Sequence, residues 1–287
     1  MSQAAETEPE LSQQVRDITH FLMQSYPIPQ EAQTLVIAGS GLGGLANKVK
    51  VLASVSFADI PHVGGSTVAG HDGRLLVAQT TVGATFLILK GRRHLYEGIS
   101  VQQSTLLLRA LLVHSSGIQN VIISNAAGGL NATFDVGDLM LISDHINWSF
   151  RNPLIGRNDA QWGDRFPDMS EAYSKRLRVL AREEGLKAGT ILREGVYVAG
   201  QGPNYETRAE FFMLRETLGG DAVGMSTVPE VLVARHAGRE VLGISFISNS
   251  LVKPAVTSHE EVMENSKIVE DKFSALVLGL VDRLRAA

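Results

Sequence analysis

The stretch Val121–Asn131, VIISNAAGGLN, decides how this chain is read. Val121, Ile122 and Ile123 predict a strand covered on both faces, because β-branched residues suit a pleated sheet and no polar alternation exposes either side. The apolar run then stops at Asn125. Ala126, Ala127, Gly128 and Gly129 predict a small-residue turn, whose backbone N–H groups an anion can approach closely. Alone, this is an ordinary strand running into a glycine turn; it gains meaning because other strands end the same way.

Thr34–Ala38 (TLVIA) is a second buried strand and runs directly into Gly39-Ser40-Gly41-Leu42-Gly43-Gly44. Further strands are predicted over Leu75–Thr80, Phe86–Leu89, Leu139–Ser143, Gly195–Ala199, Asp221–Gly224 and Val241–Ser248. Helices fall around them. Leu11, Val15, Ile18 and Leu22 recur at helical spacing within Pro9–Tyr26. Ser100 with Gln103, Thr207 with Glu210, Thr227 with Glu230 and Ser258 with Glu261 have the pattern of capping boxes, each opening a helix. Their helices are expected to end near Gly117, Gly219, Gly238 and the C-terminus, and another helix is expected over Ser170–Gly185. Asn147–Asp168, with Trp148, Trp162, Pro153 and Pro167, predicts a long irregular loop, a feature that is usually functional or part of an interface. Strands and helices alternating in this way imply an α/β sandwich on a parallel or mixed sheet. No Pro/Ser-rich or charged linker interrupts it, so a single domain is expected over 1–287, with the acidic residues 1–8 disordered.

Composition narrows the chemistry. The net charge of −4 comes with no basic block, which argues against nucleic acid as a partner. There is no cysteine, hence no disulfide, thiolate metal site or thiol nucleophile. No apolar run approaches the roughly 18 residues of a membrane span, and MSQAAETEPE lacks a signal-peptide core, so a cytoplasmic protein with no membrane partner is expected.

Ligands of open α/β sheets collect beyond the carboxyl ends of strands. There this chain places a hydroxyl at Ser40, a guanidinium at Arg92, an imidazole at His94, backbone amides near Ala126 and a hydroxyl at Ser226, which is a phosphate site in outline. Alternation in an extended segment would project Arg92, His94 and Tyr96 to one side. Gly39–Gly44 also satisfies G-x-G-x-x-G after a strand, with Asp59 near the distance of a ribose-binding acid. With 28 glycines such a match arises easily by chance, and Leu45 excludes a Walker loop.

Taken together, GSGLGG at 39–44, HDGRL at 71–75, GRRHLYEG at 91–98, SNAAGGLN at 124–131, GPNYET at 202–207, GDAVGMSTVPEV at 220–231 and SHEEV at 258–262 resemble the trimeric purine nucleoside phosphorylases over nearly the whole chain. The resemblance implies a phosphorylase-type αβα sandwich with a central mixed sheet curling into a partial barrel, assembled as a homotrimer. It implies reversible phosphorolysis of purine (deoxy)ribonucleosides, with inorganic phosphate as co-substrate and no cofactor, metal or covalent intermediate. By the same resemblance, phosphate would be held by Ser40, His71, Arg92, His94, the Ala126 amide and Ser226. Tyr96 and Met225 would pack on the ribose and His259 would bond its 5′-hydroxyl. Glu206 and Asn249 would bind the base beside Tyr205, which stands where many members carry Phe. Phe166 would be donated into a neighbouring subunit's site. Asn249, Glu206 and His94 are the residues expected to carry catalysis. Methylthioadenosine phosphorylases carry aspartate where this chain has Asn249, so inosine and guanosine are expected over adenosine. The alternatives are the methylthioadenosine or methylthioinosine branch and a silent nucleoside-binding protein. Ser248 and the segment 250–258, which is shorter than in mammalian members, also depart from the family pattern.

Overall fold

Strands β1 (Thr34–Ala38), β2 (Lys50–Ser56), β3 (Arg74–Gln79), β4 (Thr85–Lys90), β5 (Asn120–Gly129), β6 (Leu139–Ile146), β7 (Arg193–Ala199), β8 (Ala222–Gly224) and β9 (Glu240–Ser250) hydrogen-bond in the order β2-β3-β4-β1-β5-β8-β7-β6-β9. β9 also pairs with β5, so β5, β8, β7, β6 and β9 close into a ring from which β1–β4 extend as an open wing. The sheet is mixed: β1 is parallel to β4 and β5, whereas β3 is antiparallel to both of its neighbours. The computed structural model describes residues 8–39, 42–65, 73–115, 117–252 and 259–285, apart from the side chains of 8–10, 259 and 261. The disorder expected over 1–8 therefore falls outside the described residues except at Glu8, which opens the first helix.

The helices are α1 (Glu8–Ser25), α2 (Val101–Ser104), α3 (Leu106–His114), α4 (Lys175–Lys187), α5 (Arg208–Phe212), α6 (Val228–His236) and α7 (His259–Arg285). Successive residues of β5 face opposite sides. Val121 and Ile123 join Val15 and Ile18 of α1, Leu111 of α3 and Val231 of α6 in one core, and Ile122 joins Leu177 of α4 and Phe273 and Val277 of α7 in the other. Helices thus cover both faces, which is why the strands read as continuous apolar runs. No helix among the described residues is long and apolar enough to cross a membrane.

The structure departs from the sequence reading in five places. The small residues after Asn125 form no turn: β5 continues through Gly129, because β9 supplies a parallel partner up to Ser250. β2 is not among the predicted strands: its Val51, Leu52 and Val55 show no strict alternation, and it is an exposed edge strand with a register shift between Val51 and Ala53. The helix opened by Ser100 breaks at Thr105 into α2 and α3. α4 begins at Ser174, whose Oγ accepts from Leu177 N at 3.2 Å; Ser170 instead hydrogen-bonds the Asp168 carboxylate through its own N and Oγ. Thr227 does not cap α6 with its side chain. The Thr207–Glu210 capping box forms as read, whereas the Ser258–Glu261 cap lies outside what is described.

Gly39 closes β1 against β5, its N–H donating to Ser124 Oγ at 3.1 Å. A Cβ there would lie 2.4 Å from the Ser124 carbonyl oxygen. Because the obstacle is backbone, Gly39→Ala should cost about 1–3 kcal/mol. The expected result is a lower urea midpoint at unchanged m value; a wild-type midpoint would show that β1 and β5 can separate without penalty.

Candidate active site

A cavity of about 380 Å³ opens where β5, β8 and β9 end, against the segments that follow β4 and β7. At one end lies Arg92, two residues beyond β4 and 5% exposed. Its guanidinium is fixed from several sides. Nη1 donates to Ser226 Oγ at 2.7 Å and Thr227 Oγ1 at 3.2 Å, Nη2 donates to the Ser124 carbonyl at 2.5 Å, and Nε faces Glu230 Oε1 at 3.4 Å. Ser226, Thr227 and Glu230 belong to the first turn of α6 and its approach. Buried charges of this kind stay only where they are paired and hydrogen-bonded.

Thr227 is the unusual residue of this end. It is wholly buried and has φ of +76°, a region that a β-branched side chain occupies only under strain, on the order of 1–3 kcal/mol. Its Oγ1 accepts from Asn125 Nδ2 at 2.8 Å rather than from an amide of α6. Asn125, on β5, is equally buried. The Tyr197 hydroxyl of β7 brackets the same turn, lying 3.3 Å from the Ser226 carbonyl and 3.4 Å from its N–H.

His94 stands next to Arg92, and its ring stacks on Tyr96 with centroids 4.7 Å apart. Glu97 accepts from the His94 backbone N–H at 2.6 Å, and the same oxygen lies 3.4 Å from Nδ1, which favours a proton on that ring nitrogen. Leu95–Glu97 is a single 3₁₀ turn, so Arg92, His94 and Tyr96 reach one cavity through that turn and not by strand alternation. Burial pushes the Tyr96 phenol up to about 12, with the Glu97 charge adding to the effect, so its hydroxyl remains a neutral donor.

The other end is formed by the turn after β7 and by the end of β9. A Cβ on Gly202 would lie 2.3 Å from Met225 Sδ, which shows how closely this turn packs on the residue after β8. Glu206 is half-buried beside Tyr205, and burial holds its carboxyl above the ordinary 4.5, with the charge of Glu210 acting in the same direction. Asn249 is buried at the end of β9, and its Oδ1 accepts from Ser248 Oγ at 2.9 Å. Register slips by one residue between Ala127–Ile247 and Gly128–Asn249, leaving Ser248 as a bulge. As a result Ser248 and Asn249 both line the cavity, although regular alternation would send neighbours to opposite faces.

Of the residues singled out in the sequence, Arg92, His94, Tyr96, Ala126 and Ser226 line this cavity. Tyr205, Glu206, Met225 and Asn249 line it as well. Phe166 does not: it is 87% exposed on the long loop, with the Arg165 guanidinium 5.5 Å from its ring centre. Ser40, His71 and the His259 side chain lie outside the described residues. Asn125, where the apolar run of β5 stops, lines the cavity too. Sequence reasoning missed Thr227 and Glu230 as site residues, since their spacing was read as a helix cap, and it saw Ser248 only as a departure from the family pattern.

Comparison with known proteins places the chain in a family. Residues 33–282 match the family model of the phosphorylase superfamily. The chain is 49% identical over 269 residues to purine nucleoside phosphorylase 1 of Geobacillus stearothermophilus, covering 93% of this chain and 96% of that one. It is 44% identical over 257 residues to the purine nucleoside phosphorylase of Bos taurus, covering 86% and 88% of the two chains. Among solved structures, the Schistosoma mansoni purine nucleoside phosphorylase in complex with adenosine matches with a TM-score of 0.86 at 33% identity, over 95% of this chain and 97% of that chain. With the fold, the matched span and identities of this size in agreement, the chain belongs to the phosphorylase superfamily and, within it, to the purine nucleoside phosphorylases.

Proposed function

We propose that this enzyme catalyses the reversible phosphorolysis of 6-oxopurine (deoxy)ribonucleosides, inosine and guanosine, to free base and (deoxy)ribose 1-phosphate, as a step of purine salvage. The observation that carries the reading is a single cavity with a cationic, hydroxyl-rich end at Arg92 and Ser226 and an amide–carboxylate end at Asn249 and Glu206. An anion and a heterocycle can thus be held on either side of a sugar packed between Tyr96 and Met225.

In this mechanism Arg92, His94, Ser226 and the Ala126 amide bind phosphate, together with Ser40 and His71. Breaking the glycosidic bond builds positive charge on the sugar and negative charge on the base. The bound phosphate stabilises the first and attacks C1′, and Asn249 stabilises the second by donating to N7 and the 6-oxo oxygen. The bond from Ser248 turns the Asn249 amide so that Nδ2 is its donating edge. Glu206 accepts from purine N1–H, a partner that offsets the desolvation of its ionised form. Tyr205 borders the base, and His259 bonds the 5′-hydroxyl. A 6-amino group cannot accept from Asn249, and an unpaired buried polar group can cost of order 10⁴ in kcat/KM. A related protein was solved with adenosine bound, so the discrimination proposed here lies in turnover more than in occupancy. The exposed Phe166 supports a homotrimer in which each subunit completes its neighbour's site. A cytoplasmic location accords with the lack of cysteine.

The direct test follows free base released from inosine, guanosine, adenosine and methylthioadenosine, with and without phosphate. Release from the two 6-oxo substrates, only when phosphate is present, is expected; phosphate-independent cleavage, or cleavage of the methylthio substrate alone, would sink the reading. Asn249→Asp should lower kcat on inosine and raise the adenosine-to-inosine ratio, and an unchanged ratio would remove Asn249 from base recognition. Arg92→Lys keeps a cation beside Glu230 but loses the planar fork, so phosphate KM should rise about tenfold or more while nucleoside KM holds. The Glu206 carboxyl, raised in the folded state, favours folding when protonated. Urea unfolding should therefore show wild type and Glu206→Gln close in stability below pH 4.5, where both side chains are neutral, with wild type losing stability relative to Glu206→Gln as pH rises through the folded value. A difference independent of pH would mean that Glu206 is not desolvated.

A further inference from the structure

At the anion end the hydroxyl protons can be followed one at a time. Thr227 Oγ1 accepts from Asn125 Nδ2 at 2.8 Å and from Arg92 Nη1 at 3.2 Å. Two donors occupy its two acceptor positions, so its own proton must go to another atom. Among the described residues the acceptor within reach is Ser226 Oγ, at 3.2 Å. Ser226 Oγ already accepts from Arg92 Nη1 at 2.7 Å. With Thr227 as its second donor, both acceptor positions of Ser226 are taken, so its O–H can only donate, to the Tyr197 hydroxyl beside it or to an anion in the cavity that Ser226 lines.

We infer that Thr227 is a positioning residue for the phosphate end: its buried hydroxyl makes Ser226 an obligate donor, available to the anion, and holds Arg92 Nη1 in the same contact. The inference deepens the phosphorolysis reading and rests on it. Thr227 stands at the N-cap position of α6 and heads a Thr-x-x-Glu pattern, yet it forms no side-chain cap and adopts a φ of +76°. A threonine that served only the helix would do neither. Both departures bring its hydroxyl between Asn125, Arg92 and Ser226, so that a lone serine, which could otherwise donate or accept, keeps one direction. Asn125 thereby gains a part as well, as the donor that forces the Thr227 proton toward Ser226.

Steady-state kinetics with phosphate and inosine varied separately test this. Thr227→Val, nearly isosteric, should raise phosphate KM about tenfold, the size of one lost hydrogen bond, with inosine KM changed by less than about twofold. Thr227→Ser should restore phosphate KM to near the wild-type value. Thr227→Gly relieves the left-handed backbone but removes the same acceptor, so it should show the raised phosphate KM; a thermal melt showing the variant fully folded at the assay temperature separates the effect from folding. Combined with Ser226→Ala, Thr227→Val should add less than its single effect, because it acts largely through that serine. An unchanged phosphate KM in Thr227→Val, an inosine KM that rises in step with it, or full additivity with Ser226→Ala would overturn the inference. Wild-type cleavage without phosphate would instead remove the phosphorolysis reading, so the two failures are distinguishable.

Discussion

The parallel pairing of β5 with β9 is the contact on which the rest of the structure depends. It runs in register from Asn120–Glu240 to Ala127–Ile247 and then slips by one residue. The regular part closes the ring of five strands and gives both cores their central partition. The slip turns Asn249 into the cavity and puts Ser248 where it can hold the Asn249 amide. On the neighbouring side of β5, the Ser124 carbonyl takes Arg92 Nη2 and the Asn125 amide reaches Thr227. One strand therefore sets both the Asn249 end and the Arg92 end of the cavity, and the distance between them is a property of the sheet.

The second constraint is the buried Arg92–Glu230 contact. Burying both charges is expensive, and losing one partner of such a pair costs about 3–5 kcal/mol. Here the arrangement is tolerated because the guanidinium has further acceptors at Ser124, Ser226 and Thr227. The first turn of α6 is thus tied to the segment after β4 by charge as well as by packing. Helix, strand ends and the Arg92 end of the cavity form one unit, in which a change made for stability is felt across the cavity.

Much of this could be read from the residues. Buried β-branched runs such as Thr34–Ala38 and Val121–Ile123 carry their own signal, because both faces of the sheet are covered. Of the residues read as following strands, Arg92, His94 and Ser226 do so and line one cavity with Ala126, which lies within β5. What escaped was set by partners distant in sequence. β2 is an exposed edge whose Val51, Leu52 and Val55 follow neither strict alternation nor a continuous buried run. Alanine and glycine give no pleat signal, so the continuation of β5 becomes visible only with β9 beside it. Thr227 and Glu230 look like a capping box until Arg92 is seen to engage both side chains. Local pattern gave way to tertiary contact where a buried charge had to be satisfied.

Burial is distributed unevenly along the cavity. Arg92, His94, Asn125 and Thr227 are sunk among sheet and helix, whereas Tyr205 is 42% exposed on a turn that carries no strand pairing. Neither the Arg92 end nor Asn249 can be altered without disturbing the cores or the β5–β9 pairing, while Tyr205 and Glu206 can be changed at little cost to folding. Such a molecule has a fixed half and an adjustable half. Its descendants would be expected to keep phosphate as the attacking partner and to diverge in the ring system they release, with new specificities arising at Tyr205 and Glu206 before any change reaches Arg92.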